Sequence, residues 1–122
     1  MSNFKDLVVW QKSIHMVKII YDYTKSFPKD EQYGLTSQIR RCAVSIPSNI
    51  AEGYGRYQTQ DYIRFLQIAR GSLFELETQV EIAALLEYIK GNDLKILTEL
   101  TNEIEKMINS MINKTNSSNL KK

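Results

Sequence analysis

The residues best suited to chemistry in this chain crowd into one stretch, Gln38 to Gly71. It holds all five arginines (Arg40, Arg41, Arg56, Arg64 and Arg70), Pro47, and an Asn49-Ile50-Ala51-Glu52-Gly53 box, while the cations outside it are lysines. Arginine presents a planar fork of donors that lysine lacks, which suits buried ion pairs and phosphate contacts. Tyr54, Tyr57 and Tyr62 stand among these arginines. Cations mixed with aromatic rings can hold a phosphate backbone and stack bases. The candidate nucleic-acid-binding residues are therefore Arg40, Arg41, Arg56, Tyr54 and Tyr57. A bland reading stands beside this one. Asn49, Glu52 and Arg70 are expected to form a structural polar cluster, with Glu52 pairing to an arginine and Asn49 satisfying backbone groups that Pro47 frees. On helical spacing the arginines do not all share one face, so no continuous basic stripe follows.

Enzyme chemistry lacks its parts. A di-metal bundle site needs paired Glu plus Glu-x-x-His, and the one histidine, His15, has no Glu three residues before it. No Ser-His pairing suggests a triad, and no phosphate-cradling G-x-x-x-x-G-K-[ST] loop is present. The lone cysteine, Cys42, allows no internal disulfide and no multi-cysteine zinc site; it is expected to be a small buried hydrophobe. The expectation is a non-enzyme with no catalytic residue, metal, cofactor or small-molecule substrate.

The elements that must position these residues follow from length and pattern. A chain of 122 residues suggests one domain with one core. Gly and Pro total 7 of 122, few for a turn-rich β fold. The net charge is +2, distributed as +1 over residues 1–39, +3 over 40–70 and −2 over 71–122. No basic-then-apolar leader and no run of 18 apolar residues appears. A soluble cytoplasmic protein without membrane contact is expected.

Four helical stripes are legible. Leu7, Trp10, Ile14, Val17, Tyr21 and Thr24 recur at alternating spacings of three and four, up to a stop at Phe27-Pro28. A second helix is expected to follow Pro28-Lys29-Asp30-Glu31, with a stripe of Leu35, Ile39, Cys42, Ile46 and Ile50. Pro47 inside it predicts a kink or short break, and Gly53 and Gly55 end it. The third opens at Thr59 or Gln60. Its seam of Tyr62, Leu66, Ala69, Leu73, Leu76, Val80 and Ala83 keeps a heptad rhythm, and the pattern runs to about Ile89. The fourth opens at Asn92 and uses Leu94, Leu97, Thr101, Ile104, Ile108 and Met111. Together these predict an all-α fold, an antiparallel up-down-up-down four-helix bundle, over residues 1–113. The Lys, Thr, Asn and Ser of 114–122 predict a flexible polar tail.

The outer face of the third helix is unusual. Arg64, Ile68, Gly71, Phe74, Thr78, Ile82 and Leu85 lie on or beside its outward line. A helix apolar on two faces is buried on two faces, so this stripe is the candidate subunit interface. A mid-helix glycine costs about 1 kcal/mol against alanine, which suggests close approach of another backbone or ligand at Gly71.

Several words of the chain carry a resemblance: Leu7-Val8-Val9-Trp10-Gln11-Lys12, Tyr33-Gly34-Leu35-Thr36-Ser37-Gln38-Ile39-Arg40-Arg41, Ser45-Ile46-Pro47-Ser48-Asn49-Ile50-Ala51-Glu52-Gly53-Tyr54-Gly55-Arg56 and Phe65-Leu66-Gln67-Ile68-Ala69-Arg70-Gly71-Ser72. Over about residues 4–112 the chain resembles the bacterial four-helix-bundle family of the 23S rRNA intervening sequence protein. The resemblance implies a bundle that assembles into a ring-shaped homopentamer. It also implies similarity to the accessory variability protein of diversity-generating retroelements, a basic pentamer that binds nucleic acid and a reverse transcriptase. This chain departs from that type in carrying only +2. The functional expectation is a non-enzymatic homo-oligomer that offers an arginine-containing surface to RNA, DNA or a nucleic-acid enzyme. The alternative is a purely structural assembly protein whose arginines stabilise the bundle and its subunit interfaces.

Overall fold

The computed structural model describes residues 3–120, with side chains through Ser117. A short 3-10 turn, Phe4–Asp6, leads into α1 (Val8–Thr24). A second 3-10 turn, Lys29–Glu31, precedes α2 (Leu35–Tyr54). Then come α3 (Thr59–Leu85) and α4 (Gly91–Leu120). The packing pairs are α1–α2, α2–α3, α3–α4 and α4–α1. Each helix therefore touches its two neighbours around a square, as short connections between antiparallel helices require. The predicted all-α four-helix bundle is the observed fold.

The core is made by one face of each helix. In α3 the heptad seam is buried from Leu66 through Ala83, with Tyr62 half-buried at its start. In α4 Leu97, Thr101, Ile104, Ile108 and Ile112 are buried. In α2 the buried set includes Ile39, Cys42, Ala43, Ile46, Pro47, Ile50 and Gly53. The first helix differs from its sequence reading. Its buried residues are Val9, Ser13, Met16, Ile20 and Thr24, a face rotated from the expected Leu7-Trp10-Ile14-Val17-Tyr21-Thr24 stripe, with which it shares only Thr24. Ser13 and Thr24 enter the core because their hydroxyls donate back to the carbonyls of Val9 and Ile20, at 2.7 Å each, which removes the penalty for an unpaired buried hydroxyl.

Three boundaries also differ. The acids after Pro28 start a 3-10 turn instead of α2, and the helix begins after Gly34. Glu31 still serves that start, because its Oε1 accepts from the Leu35 N–H at 3.2 Å and its Oε2 from the Tyr88 hydroxyl at 3.1 Å. The third helix stops at Leu85 instead of Ile89, in a turn where Glu87 and Gly91 both take φ of 63°. The fourth helix passes Asn113 and runs to Leu120. No Gly or Pro follows Gly91, Ile112 is still buried, and the Thr115 hydroxyl donates to the Met111 carbonyl at 2.7 Å. Residues 1, 2, 121 and 122 lie outside the described residues, so the two ends of the expected domain and tail are not placed.

Pro47 does not break α2, which is continuous from Leu35 to Tyr54. A helical proline leaves the carbonyl four residues earlier without its usual donor, here that of Ala43. Asn49 does not fill this role as expected: its Nδ2 donates to the Ser45 carbonyl at 2.8 Å.

Candidate functional site

The core leaves the outward stripe of α3 uncovered. Arg64, Ile68, Gly71, Phe74, Thr78, Ile82 and Leu85 are all exposed. Phe74 keeps 45% of its surface accessible and Leu85 83%. These positions lie opposite the Leu66–Ala83 seam, because residues spaced by three or four return to one helix face. A Cβ built on Gly71 would meet nothing within 4 Å. No neighbour among the described residues therefore demands a glycine there. The Thr78 hydroxyl donates to the Phe74 carbonyl at 2.9 Å, one turn back on the same helix.

The arginines divide into separate roles. Arg40 is half-buried and ties α2 to α1. Its Nε donates to the Thr24 hydroxyl at 2.8 Å, and its guanidinium lies 4.7 Å from the Tyr21 ring centre. Arg70 ties α3 to α4 by donating to Asn109 Oδ1 at 2.8 Å. Arg56 pairs with Glu52 at 2.9 Å. Asn49, Glu52 and Arg70 therefore do not form the single polar cluster expected from sequence. Arg70 points to α4, whereas Asn49 bonds within α2 and Glu52 pairs with Arg56 in the turn that follows it.

The five candidate nucleic-acid residues also fall apart. Arg41 is exposed on the first half of α2, and Tyr54 is half-buried at its far end. Thirteen residues of helix separate them, about 20 Å at the helical rise. Around Tyr54 the structure gathers a different set. Arg56 and Arg64 lie 4.8 and 5.2 Å from the centre of one ring, Phe65. Tyr57 beside them is fully exposed. Tyr54, Arg56, Tyr57, Gln58, Thr59 and Tyr62 line a cleft of about 230 Å³. Burial, and then the nearby Tyr54, push the Tyr62 hydroxyl up from its usual pKa. It therefore stays a neutral donor at physiological pH.

Reactive groups are tempered by their surroundings. The Cys42 thiol donates to the Ser72 carbonyl at 3.0 Å. Burial, with a smaller contribution from the Glu75 charge, pushes it up to about 11, so it holds almost no thiolate at neutral pH. His15 is exposed on α1. Among the described residues no group of three His, Cys, Asp or Glu is arranged to hold a metal. Between α3 and α4, Glu77 sits against Glu105 and Thr101; burial foremost, then the Glu105 charge, raise its carboxyl above the usual range. No helix is long and apolar enough to cross a membrane, among the residues described.

Sequence reasoning missed a second apolar surface. Trp10, Ile14 and Val17 of α1 face Val44, Pro47, Ser48 and Ala51 of α2 across a cleft of about 270 Å³. Ile14 and Val44 are 43% and 40% exposed. The signal was present as the extra apolar stripe of α1, which was assigned to the core.

Residues 5–110 match the family profile described as 23S rRNA-intervening sequence protein. A solved structure from Bacteroides thetaiotaomicron VPI-5482, described as a protein of unknown function from the S23 ribosomal protein family, is similar in fold. It shares 29% identity at a TM-score of 0.78, covering 86% of this chain and 98% of that one. No curated protein matches the chain.

Proposed function

Given that the chain belongs to the 23S rRNA-intervening sequence protein family, we propose that it is a non-enzymatic building block that assembles with copies of itself. The observation that carries this reading is the outward stripe of α3. Ile68, Phe74, Ile82 and Leu85 stand exposed on a helix whose opposite face already fills the core. Apolar surface gains about 25 cal/mol for each Å² removed from water, and a second copy is the occupant present at equal concentration whenever the protein is made. A ring of five is the size that the family resemblance leads us to expect.

Sedimentation velocity on the native chain and on a Phe74→Glu, Ile82→Glu double variant tests this. Both substitutions fall on exposed positions, so the helical circular dichroism is retained. The native chain sediments as a multimer and the variant as a monomer. A native chain that sediments as a monomer refutes the reading.

A second reading concerns what the assembly presents. Arg56 lies against Phe65 next to the exposed Tyr57, at the edge of the α3 stripe where Arg64 begins the subunit face. Such a group supports binding of single-stranded RNA or DNA by phosphate contact and base stacking, or of an enzyme that works on them. Arg40 and Arg70 are committed inside the bundle and lie outside this surface. Electrophoretic shift assays with short RNA and DNA at two salt concentrations test it. A shift that weakens steeply with salt is expected; no shift at low salt refutes it for the protein alone.

A further inference from the structure

Charge along α4 changes sign. Residues 71–105 carry eight acids against Lys90 and Lys95, so −6, whereas residues 106–122 carry four lysines and no acid, so +4. The −2 of residues 71–122 hides this split. At the crossover, Lys106, Met107, Ser110 and Met111 return to one face of α4, because residues spaced by three or four share a face. That face meets Leu7, Val8 and Val9 at the start of α1 across a cleft of about 440 Å³. Small-molecule sites have volumes of this order, a mostly apolar lining and a few polar groups. We infer that this cleft binds a small anionic amphiphile, a medium-chain carboxylate whose tail lies on the apolar floor and whose head meets Lys106.

The floor suits an apolar chain. Val9 is buried, and Leu7, Met107 and Met111 are half-buried against the core. Methionine side chains are unbranched and polarizable, so they repack around an irregular guest. Val8 beside them keeps 50% of its surface accessible, so apolar area remains for a tail to cover. The rim sets the sign of the head. Glu103, the acid that lines the cleft, is already paired with Lys12 at 2.5 Å, so a cationic head meets no free carboxylate there. Lys106 is exposed and has no ion pair among the described residues. The exposed Ser110 one turn on offers a hydroxyl donor. The start of α1 adds to this polarity without carrying it alone. Leu7 gives α1 no side-chain cap, and the first turn of α1 holds no acid. Its unpaired N–H groups therefore leave a partial positive charge beside the cleft. Asp6, just before that start, does not line the cleft.

Isothermal titration calorimetry of the full chain tests this, with hexanoate, octanoate and decanoate as probes below their micelle concentrations. Octanol serves as the probe without a charged head. The carboxylates bind once per chain, and each pair of added methylenes tightens binding about tenfold. Octanol binds more weakly than octanoate. Two variants at exposed positions separate tail from head, with helical circular dichroism checked for each. Lys106→Gln weakens octanoate about threefold to fivefold and leaves octanol unchanged. Val8→Gln weakens both probes by a similar factor, roughly fourfold, the worth of about one methylene. No binding of any carboxylate by the native chain overturns the inference. Octanol binding as tightly as octanoate overturns the anionic head. Folded variants that both bind octanoate like the native chain place the binding elsewhere and overturn it too. The same titration on the Phe74→Glu, Ile82→Glu chain gives the same result, because the cleft uses α1 and α4 and does not depend on the α3 stripe.

Discussion

Gly53 of α2 lies so close to Phe65 of α3 that a methyl group on Gly53 would come within 2.7 Å of the Phe65 Cβ. Tyr62 would stand at 3.4 Å from the same methyl. This glycine is therefore a packing residue, buried between helices, as well as part of the helix end.

Gly53→Ala is expected to destabilise the bundle, although alanine is the better helix former. Overpacking a tight core contact costs about 1–3 kcal/mol, more than the ~1 kcal/mol of helix propensity gained. Urea denaturation followed by circular dichroism checks it as a lower transition midpoint. Gly71→Ala, with open space around it, has no such clash and should leave the midpoint of a monomeric background unchanged or raised.

Arg40 and Arg41 are neighbours with opposite predicted behaviour. Arg40→Ala removes a hydrogen bond to Thr24 and a contact with the Tyr21 ring. About 1–2 kcal/mol of stability should be lost from these together. Arg41→Ala, made at an exposed position, should change the stability of a monomeric background by less than about 0.5 kcal/mol. Thermal melts of the two variants in the Phe74→Glu, Ile82→Glu background separate the effects.

How much of this was legible in the sequence depends on how many apolar faces a helix has. The α3 seam and the α4 stripe could be read because each presents one dominant heptad line, and the outward α3 line was what remained. In α1, Val9, Met16 and Ile20 compete with Trp10, Ile14 and Val17, and periodicity alone cannot say which set faces inward. Ser13 disguised the true face by looking polar, whereas Thr24, already in the expected stripe, is buried. The grouping of Arg56 with Arg64 around Phe65 was illegible for another reason. It depends on the level at which α2 and α3 pass each other, which the Gly53 contact sets and no local pattern encodes. The polar stretch after Asn113 misled because composition predicts an unpaired tail, whereas nothing in it stops a helix already under way.

Glu77 gives a pH signature. Its folded carboxyl is held above the ordinary value of 4.5, mainly by burial and then by Glu105. Between about pH 4.5 and its raised folded value, the folded protein therefore binds more protons here than the unfolded chain. Its contribution to stability falls as pH rises through the folded pKa. Glu77→Gln removes this penalty, so the variant should melt higher than the native chain at pH 7. The difference should shrink or vanish at pH 4, where both forms are uncharged at this site. Equal melting at both values contradicts the assignment.

Cys42 should behave as a core atom. With its thiol pushed up to about 11 and bonded to the Ser72 carbonyl, it should resist a thiol-reactive dye in the native protein at pH 8. Labelling should become complete on adding denaturant, measured by absorbance over time. Rapid labelling of the folded protein would contradict this placement.

Self-assembly through α3 is the central claim, and the mass of the native chain in solution tests it most directly. Sedimentation equilibrium at micromolar concentration should return one species at a whole-number multiple, three or greater, of the 14.2 kDa chain mass, as a closed ring requires. A mass of 14.2 kDa that does not change with concentration would contradict the account, and a simple dimer would contradict its closure into a ring.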